Sequence, residues 1–260
     1  MAQQIVEENK ELAHRYKELL SHEGDLVAIK MLKSLEGLEK IRKPAKPRTL
    51  CQLIGQTRYV GRMMVTTANE LSCYMAPEIL GFKEMPKEAW KRYVGWQVAT
   101  EEAAKKTIDA VPRFRLGEYS AVLLSPLQRC PVTPDVVILF GNVSQMLVII
   151  AAYLHSRGGC LTFGASGIGV CGTVIVSPMQ EKKPTLGIPG NAWKLLALPS
   201  DTDLVCGVPS ELLEEMAENA EFMRAHGGSR YPPAWQHVDW DVQPPIGDLL
   251  KEEGRPSWLE

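Results

Sequence analysis

Six cysteines, at positions 51, 73, 130, 160, 171 and 206, are the side chains best suited to chemistry in this chain, and three of them fall within a recurring plan. One stretch runs from Asp25-Leu26-Val27-Ala28-Ile29, through a segment opening Cys51-Gln52, to Leu71-Ser72-Cys73. A second runs from Asp135-Val136-Val137-Ile138-Leu139, through a segment opening Ser144-Gln145, to Gly169-Val170-Cys171. The pattern predicts an internal duplication, about 25–127 and 135–210, with Cys73 and Cys171 as counterparts near a pseudo-twofold axis. A thiolate is a nucleophile and a soft-metal ligand, so Cys171 and Cys73 are the candidate catalytic residues. No metal is the favoured reading. The alternative is zinc or an iron–sulfur cluster on Cys51, Cys73 and Cys171, although the spacing matches no zinc ribbon or ferredoxin pattern.

Gly164-Ala165-Ser166-Gly167-Ile168-Gly169-Val170-Cys171-Gly172 is the strongest local signal. Glycine-rich turns expose successive N–H groups that can cradle an anion, and Gly167 and Gly169 are the candidate donors. The stretch lacks the order of a dinucleotide fingerprint and the Lys-Ser/Thr pair of a phosphate loop. Two conformations are open to residues 172–176. A helix there would place Cys171 at a helix N-terminus, where the dipole lowers a thiol pKa; a strand would reduce the glycines to a hairpin or bulge. The duplication favours the helix, and a packed structural thiol is the plainer alternative for any one cysteine.

Gln52 and Gln145 occupy the same point of two expected helices and either orient a ligand or bond a neighbouring loop. Arg58, further along the first helix, is the candidate clamp for a carboxylate or phosphate, with a surface ion pair as the alternative. The five histidines form no H-x-x-x-H or H-E-x-x-H arrangement, which argues against a histidine-based zinc hydrolase. The chain has no G-x-S-x-G elbow, so a serine hydrolase is not expected either.

These residues need a scaffold, and 260 residues with 45% hydrophobic content suffice for one large core. With 29 basic and 31 acidic residues the chain has no global field favouring nucleic acid or an anionic membrane. The thiols are expected to be reduced, and Met1-Ala2-Gln3-Gln4 opens no apolar signal region, which together predict a cytoplasmic protein. The apolar run 136–154 is broken by Gly141-Asn142-Val143-Ser144-Gln145, so it reads as strand, cap and core helix rather than a bilayer span.

Periodicity predicts a helix over 3–20, a strand over 25–32, a helix from 49 to 59 and a strand over 63–67. A helical segment over 74–80 stops at Gly81, and helix formers run from Pro86 to Ala110 with a split near 98–100. Strands are expected at 121–124, 136–140, 160–163, 185–188 and 204–208, with helices over 144–155 and from Ser210 to Arg224. Lys40 to Arg48 is a basic, proline-punctuated connection, a solvated linker more than a phosphate site. Tyr231-Pro232-Pro233-Ala234-Trp235, Trp240 and Pro244-Pro245 predict an extended arm over 226–260 that covers its own domain or a partner in a homo-oligomer. The fold class is therefore α/β, with α+β as the alternative: a single globular unit over 1–225 followed by the arm.

Asp25-Leu26-Val27-Ala28-Ile29-Lys30, Cys51-Gln52 with Arg58, Cys73 with Leu80-Gly81-Phe82, Leu124-Ser125-Pro126-Leu127 before Asp135-Val136-Val137, Gln145, Cys171 and Leu204 to Pro209 stand in a distinctive order. Over residues 10 to 222 this order resembles the uncharacterised ArCR-type domain family of bacteria and archaea. That family carries no agreed activity, so the resemblance implies a domain type and a cysteine-bearing site. Its members tend to carry a Cys-x-Gly-x-Arg stretch where this chain has Ile188-Pro189-Gly190-Asn191-Ala192. The glycine is kept without the thiol and guanidinium, and Trp193 reshapes the pocket toward an organic ligand. The functional expectation is a nicotinamide-independent lyase or hydrolase acting on an organic anion, with Cys51, Gln52, Arg58, Gln145, Gly167, Gly169 and Trp193 binding the substrate. The alternative is a non-catalytic module holding a metal, an iron–sulfur cluster or a metabolite.

Overall fold

The computed structural model describes residues 2–232. Six strands, β1 (Val27–Leu32), β2 (Met64–Thr67), β3 (Ala121–Pro126), β4 (Val136–Gly141), β5 (Thr185–Gly187) and β6 (Leu204–Pro209), form one sheet in the order β2-β3-β1-β4-β6-β5. Every pairing in it is antiparallel. Among the described residues eight α-helices accompany it: α1 (Ala2–Leu20), α2 (Leu50–Val60), α3 (Ala76–Ile79), α4 (Glu101–Ala110), α5 (Val143–Leu154), α6 (Ser177–Glu181), α7 (Asn191–Leu196) and α8 (Leu213–Ala225). No helix among the described residues is long and apolar enough to cross a membrane.

Helices cover both faces, which is why the central strands are nearly continuous apolar runs rather than alternating ones. Val27, Ile29, Ile138 and Phe140 point into a core shared with Leu50, Leu53 and Ile54 of α2 and with Val174 and Ile175. Ala28, Val137, Leu139 and Val208 point the other way, onto Tyr16 and Leu20 of α1, Ile149 of α5 and Met216 of α8. The mixed α/β architecture expected from the sequence is present, built on a wholly antiparallel sheet.

The duplication is not confirmed. The strand order is mirrored about the β1/β4 pair, with β3 answering β6 and β2 answering β5. The helices break that symmetry, because α2 lies on the face of Ile29 and Ile138 while α5 lies on the face of Ala28 and Val137. A rotation about the normal to an antiparallel pair exchanges strands but keeps faces, so it cannot carry α2 onto α5. Cys73 and Cys171 differ as well: the first sits in a loop before α3, the second inside a helical run.

That run, residues 170–181, settles the choice left open over 172–176. It is helical throughout, and its centre, Gly172–Val176, is wound as a π-helix that leads directly into α6. β-branched Thr173, Val174, Ile175 and Val176 suggested a strand, but all four are buried between the sheet and the loop after α4, and tertiary burial overrides that propensity. The segment rests directly on β6: a Cβ added at Gly207 would lie 1.9 Å from the Val174 carbonyl oxygen. On its other side, a Cβ at Gly172 would lie 2.5 Å from the Pro112 carbonyl oxygen.

Other differences are local. Residues 160–163 form no strand, and Cys160 is exposed there. The stretch from Pro86 to Ala110 is a 3-10 turn at Ala89–Arg92, a loop, and then α4, which begins at the Thr100 N-cap. The short α7 has no counterpart in the sequence expectations. Of the arm predicted over 226–260, residues 233–260 lie outside the described residues; Tyr231 lies against the domain, its hydroxyl accepting from Asn142 Nδ2 at 3.3 Å.

Candidate functional site

Two helices present their first turns to the same cleft. Thr49 caps α2, accepting from the Gln52 N–H at 3.1 Å, and this fixes Cys51 in the first turn. Cys171 opens the helical run 170–181, held down by Gly169 in the left-handed region (φ 71°), where a Cβ would meet Val111 at 2.7 Å. Cys73 arrives from the loop after β2. Together with Gly167, Gly169, Gly190, Ala192 and Trp193, these thiols line a cleft of about 520 Å3. Its outer part is aromatic: Tyr74, Tyr93 and Trp96 line it, with Tyr93 and Trp96 stacked at 6.0 Å between ring centroids.

The thiols lie close enough to influence one another, and Cys51 and Cys171 are buried while Cys73 is partly exposed. Burial pushes Cys51 up to about 12, with the neighbouring Cys73 thiol adding to the shift. Burial likewise drives Cys171 well above the ordinary thiol range, reinforced by Cys73 and then Cys51. Desolvation disfavours the charged form more strongly here than a helix N-terminus favours it, so the activated Cys171 thiolate expected at a helix start is not what this environment produces. The Tyr93 phenol is pushed to about 12 by burial and then by Cys73, which places it beside the same thiols. Among the described residues no group of three or more His, Cys, Asp or Glu side chains is arranged to hold a metal ion. Cys51, Cys73 and Cys171 thus share a wall without forming a ready ligand set.

Of the residues singled out in the sequence, Cys51, Cys73, Cys171, Gly167, Gly169 and Trp193 come together on this cleft, whereas Gln52, Arg58 and Gln145 do not line it. Gln52 and Gln145 do hold equivalent positions, as the N3 residues of two capping boxes. Gln52 Oε1 accepts from the Thr49 N–H at 3.0 Å and Gln145 Oε1 from the Asn142 N–H at 2.7 Å. Gln145 also donates to the Leu20 carbonyl at 2.6 Å, tying α5 to the end of α1. These are the loop-bonding roles.

Arg58 is 4% exposed and lies behind the cleft wall. It pairs with Asp203 at 3.6 Å, donates to the Glu23 carbonyl at 3.3 Å and covers the Phe140 ring at 4.2 Å. Burial lowers its pKa, partly offset by Tyr59 and Asp203.

The residues that sequence reasoning missed are Tyr74, Arg92, Tyr93, Trp96 and Gln97. Among the described residues Arg92 is the single charged side chain lining the cleft, and Gln97 bonds the Gly167 carbonyl at 3.4 Å, joining the aromatic wall to the glycine loop. Trp90, Tyr93 and Trp96 recur every third residue around Arg92, and that spacing was a usable signal within a stretch otherwise taken as helix interior.

Fold and cleft define an α/β protein with an antiparallel sheet, helices on both faces and one thiol- and aromatic-lined pocket on the α2 side. The chain belongs to the uncharacterised ArCR family, whose model matches residues 16–219. It is 27% identical over 225 residues to an uncharacterized protein of Methanocaldococcus jannaschii, an alignment covering 84% of this chain and 96% of that protein. No solved structure gives a significant match.

Proposed function

We propose that the protein binds a small organic ligand with an apolar, planar body in the cleft between α2, the Tyr74–Trp96 wall and the 167–171 loop. The carrying observation is the lining itself: four aromatic side chains and three thiols around about 520 Å3, a volume in the range of small-molecule sites. A protonated thiol is a small apolar group with a weak donor, so Cys51 and Cys171 extend the apolar floor. Among the described residues no carboxylate or imidazole lines the cleft, so the residue types that most often serve as general base are absent from that part of its wall. That favours a binding role over the lyase or hydrolase expected from the sequence.

The test uses N-phenyl-1-naphthylamine, a neutral aromatic probe that fluoresces on leaving water. Saturable 1:1 binding to the wild type, weakened about tenfold or more in Ala192→Trp, supports the reading, because the added indole fills the cleft from an exposed position. Absence of saturable binding, or binding unchanged in Ala192→Trp, overturns it.

A further inference from the structure

We infer that Arg92 reads an acidic group on the ligand, so that the ligand class is an aromatic organic acid; this rests on the binding role proposed above. Arg92 closes the 3-10 turn Ala89–Arg92, and its guanidinium is held at one corner only. Nη1 donates to the Tyr74 carbonyl and lies 3.5 Å from Glu78 Oε1, while the guanidinium carbon is 6.0 Å from the Tyr74 ring centroid. Nε and Nη2 carry no hydrogen bond to any described residue. They form the edge with which arginine takes a carboxylate or sulfonate through two parallel bonds.

Three further observations give that edge its meaning. Among the described residues Arg92 is the single charged side chain on a cleft whose other lining groups are neutral, so an anion finds one place to pair there. The side chain is 30% exposed, accessible yet partly withdrawn from water, where a charge-assisted bond is stronger than on an open surface. The Trp96 indole N–H donates to the Arg92 carbonyl at 2.8 Å, so the aromatic surface and the guanidinium are fixed to the same short segment. A ligand lying on the Tyr93/Trp96 pair therefore has its acidic substituent within reach of Arg92. Glu78 acts behind it as a positioning residue. It is 8% exposed, its Oε1 faces Nη1, and its Oε2 is buried without a partner among the described residues, so its charge is directed to holding Arg92.

The experiment compares two probes differing by one sulfonate: 8-anilinonaphthalene-1-sulfonate and neutral N-phenyl-1-naphthylamine. The wild type is expected to bind the sulfonate about tenfold more tightly, a difference of about 1.4 kcal/mol. Arg92→Gln is expected to abolish that preference, while its circular dichroism spectrum and continued saturable binding of the neutral probe report that the cleft has folded. The double variant Glu78→Gln, Arg92→Gln is expected to behave as the single one, showing that the loss does not come from an uncompensated carboxylate. Equal affinities for both probes in the wild type, or a sulfonate preference that survives Arg92→Gln, overturns the inference while the binding role stands. Failure of the neutral probe to bind at all overturns both.

Discussion

The guanidinium of Arg58 lies 4.2 Å from the ring centroid of Phe140, and that ring in turn neighbours Trp193 of the cleft wall, 5.9 Å away between centroids. The arginine that the sequence offered as a ligand clamp is thus a cation buried beneath an aromatic wall, and it supports the site from behind.

Arg58→Ala is expected to destabilise the fold by about 3 kcal/mol, since it strips a buried cation from the Phe140 ring and leaves Asp203 without its guanidinium. Urea unfolding measures the loss. Affinity for the neutral naphthylamine probe should stay within about threefold of wild type in buffer without denaturant; a collapse of binding in a folded Arg58→Ala protein would return this residue to the site.

The two capping glutamines should behave as structural residues of unequal weight. Gln52→Ala removes one capping bond at a partly buried helix start, a loss of about 1 kcal/mol. Gln145→Ala also orphans the buried Leu20 carbonyl and is expected to lose about 2–3 kcal/mol. Equilibrium denaturation distinguishes them, and equal losses would show that the α5–α1 tie contributes nothing.

Thiol reactivity should follow exposure and not helix position. Cys160 is exposed, Cys73 partly so, and Cys51, Cys130, Cys171 and Cys206 are buried. Peptide mapping after brief treatment with iodoacetamide near neutral pH should find Cys160 modified first and Cys51 and Cys171 essentially unmodified. Fast alkylation of Cys171 in folded protein would instead establish an activated thiolate.

His22 makes stability depend on pH. Its ring is buried, Nε2 accepts from the Phe140 N–H at 3.1 Å, and burial, with Arg58 next in effect, holds its pKa down to about 4. The unfolded chain therefore binds more protons between about pH 6.5 and 4, so this contribution is complete above the unfolded pKa and is lost as pH falls through that window. The full span is worth about 3 kcal/mol. Unfolding curves at pH 7.5 and 4.5 should differ less in His22→Gln than in the wild type; an unchanged difference would mean that other groups carry the effect.

Much of the scaffold was legible because its signals are local and agree with one another. Thr49 with Gln52 and Asn142 with Gln145 mark two helix starts, and apolar runs such as Val136 to Phe140 mark strands covered on both faces. Three thiols and two glycines of the cleft were found because their residue types are chemically distinctive. Arg58 misled because sequence does not record burial: an arginine near the end of a helix reads the same whether it faces solvent or Phe140. Arg92 was missed because its significance depends on Tyr74 and Glu78, brought to it by a loop path with no periodicity. The apparent repeat drew on strands that do mirror one another, but which face a succeeding helix takes is decided by packing.

Direct backbone contact between the π-wound segment and β6 has a mechanical consequence. With only a glycine hydrogen between the Val174 carbonyl and Gly207, the wall bearing Cys171 is braced at that point backbone against backbone, and it behaves as an anvil. The opposite wall carries Tyr74 and Trp96, 77% and 68% exposed, on loop and turn backbone. Accommodation of thicker or thinner ligands falls to that jaw alone, so a series of ring systems of increasing thickness should displace Trp96 and leave Cys171 where it stands.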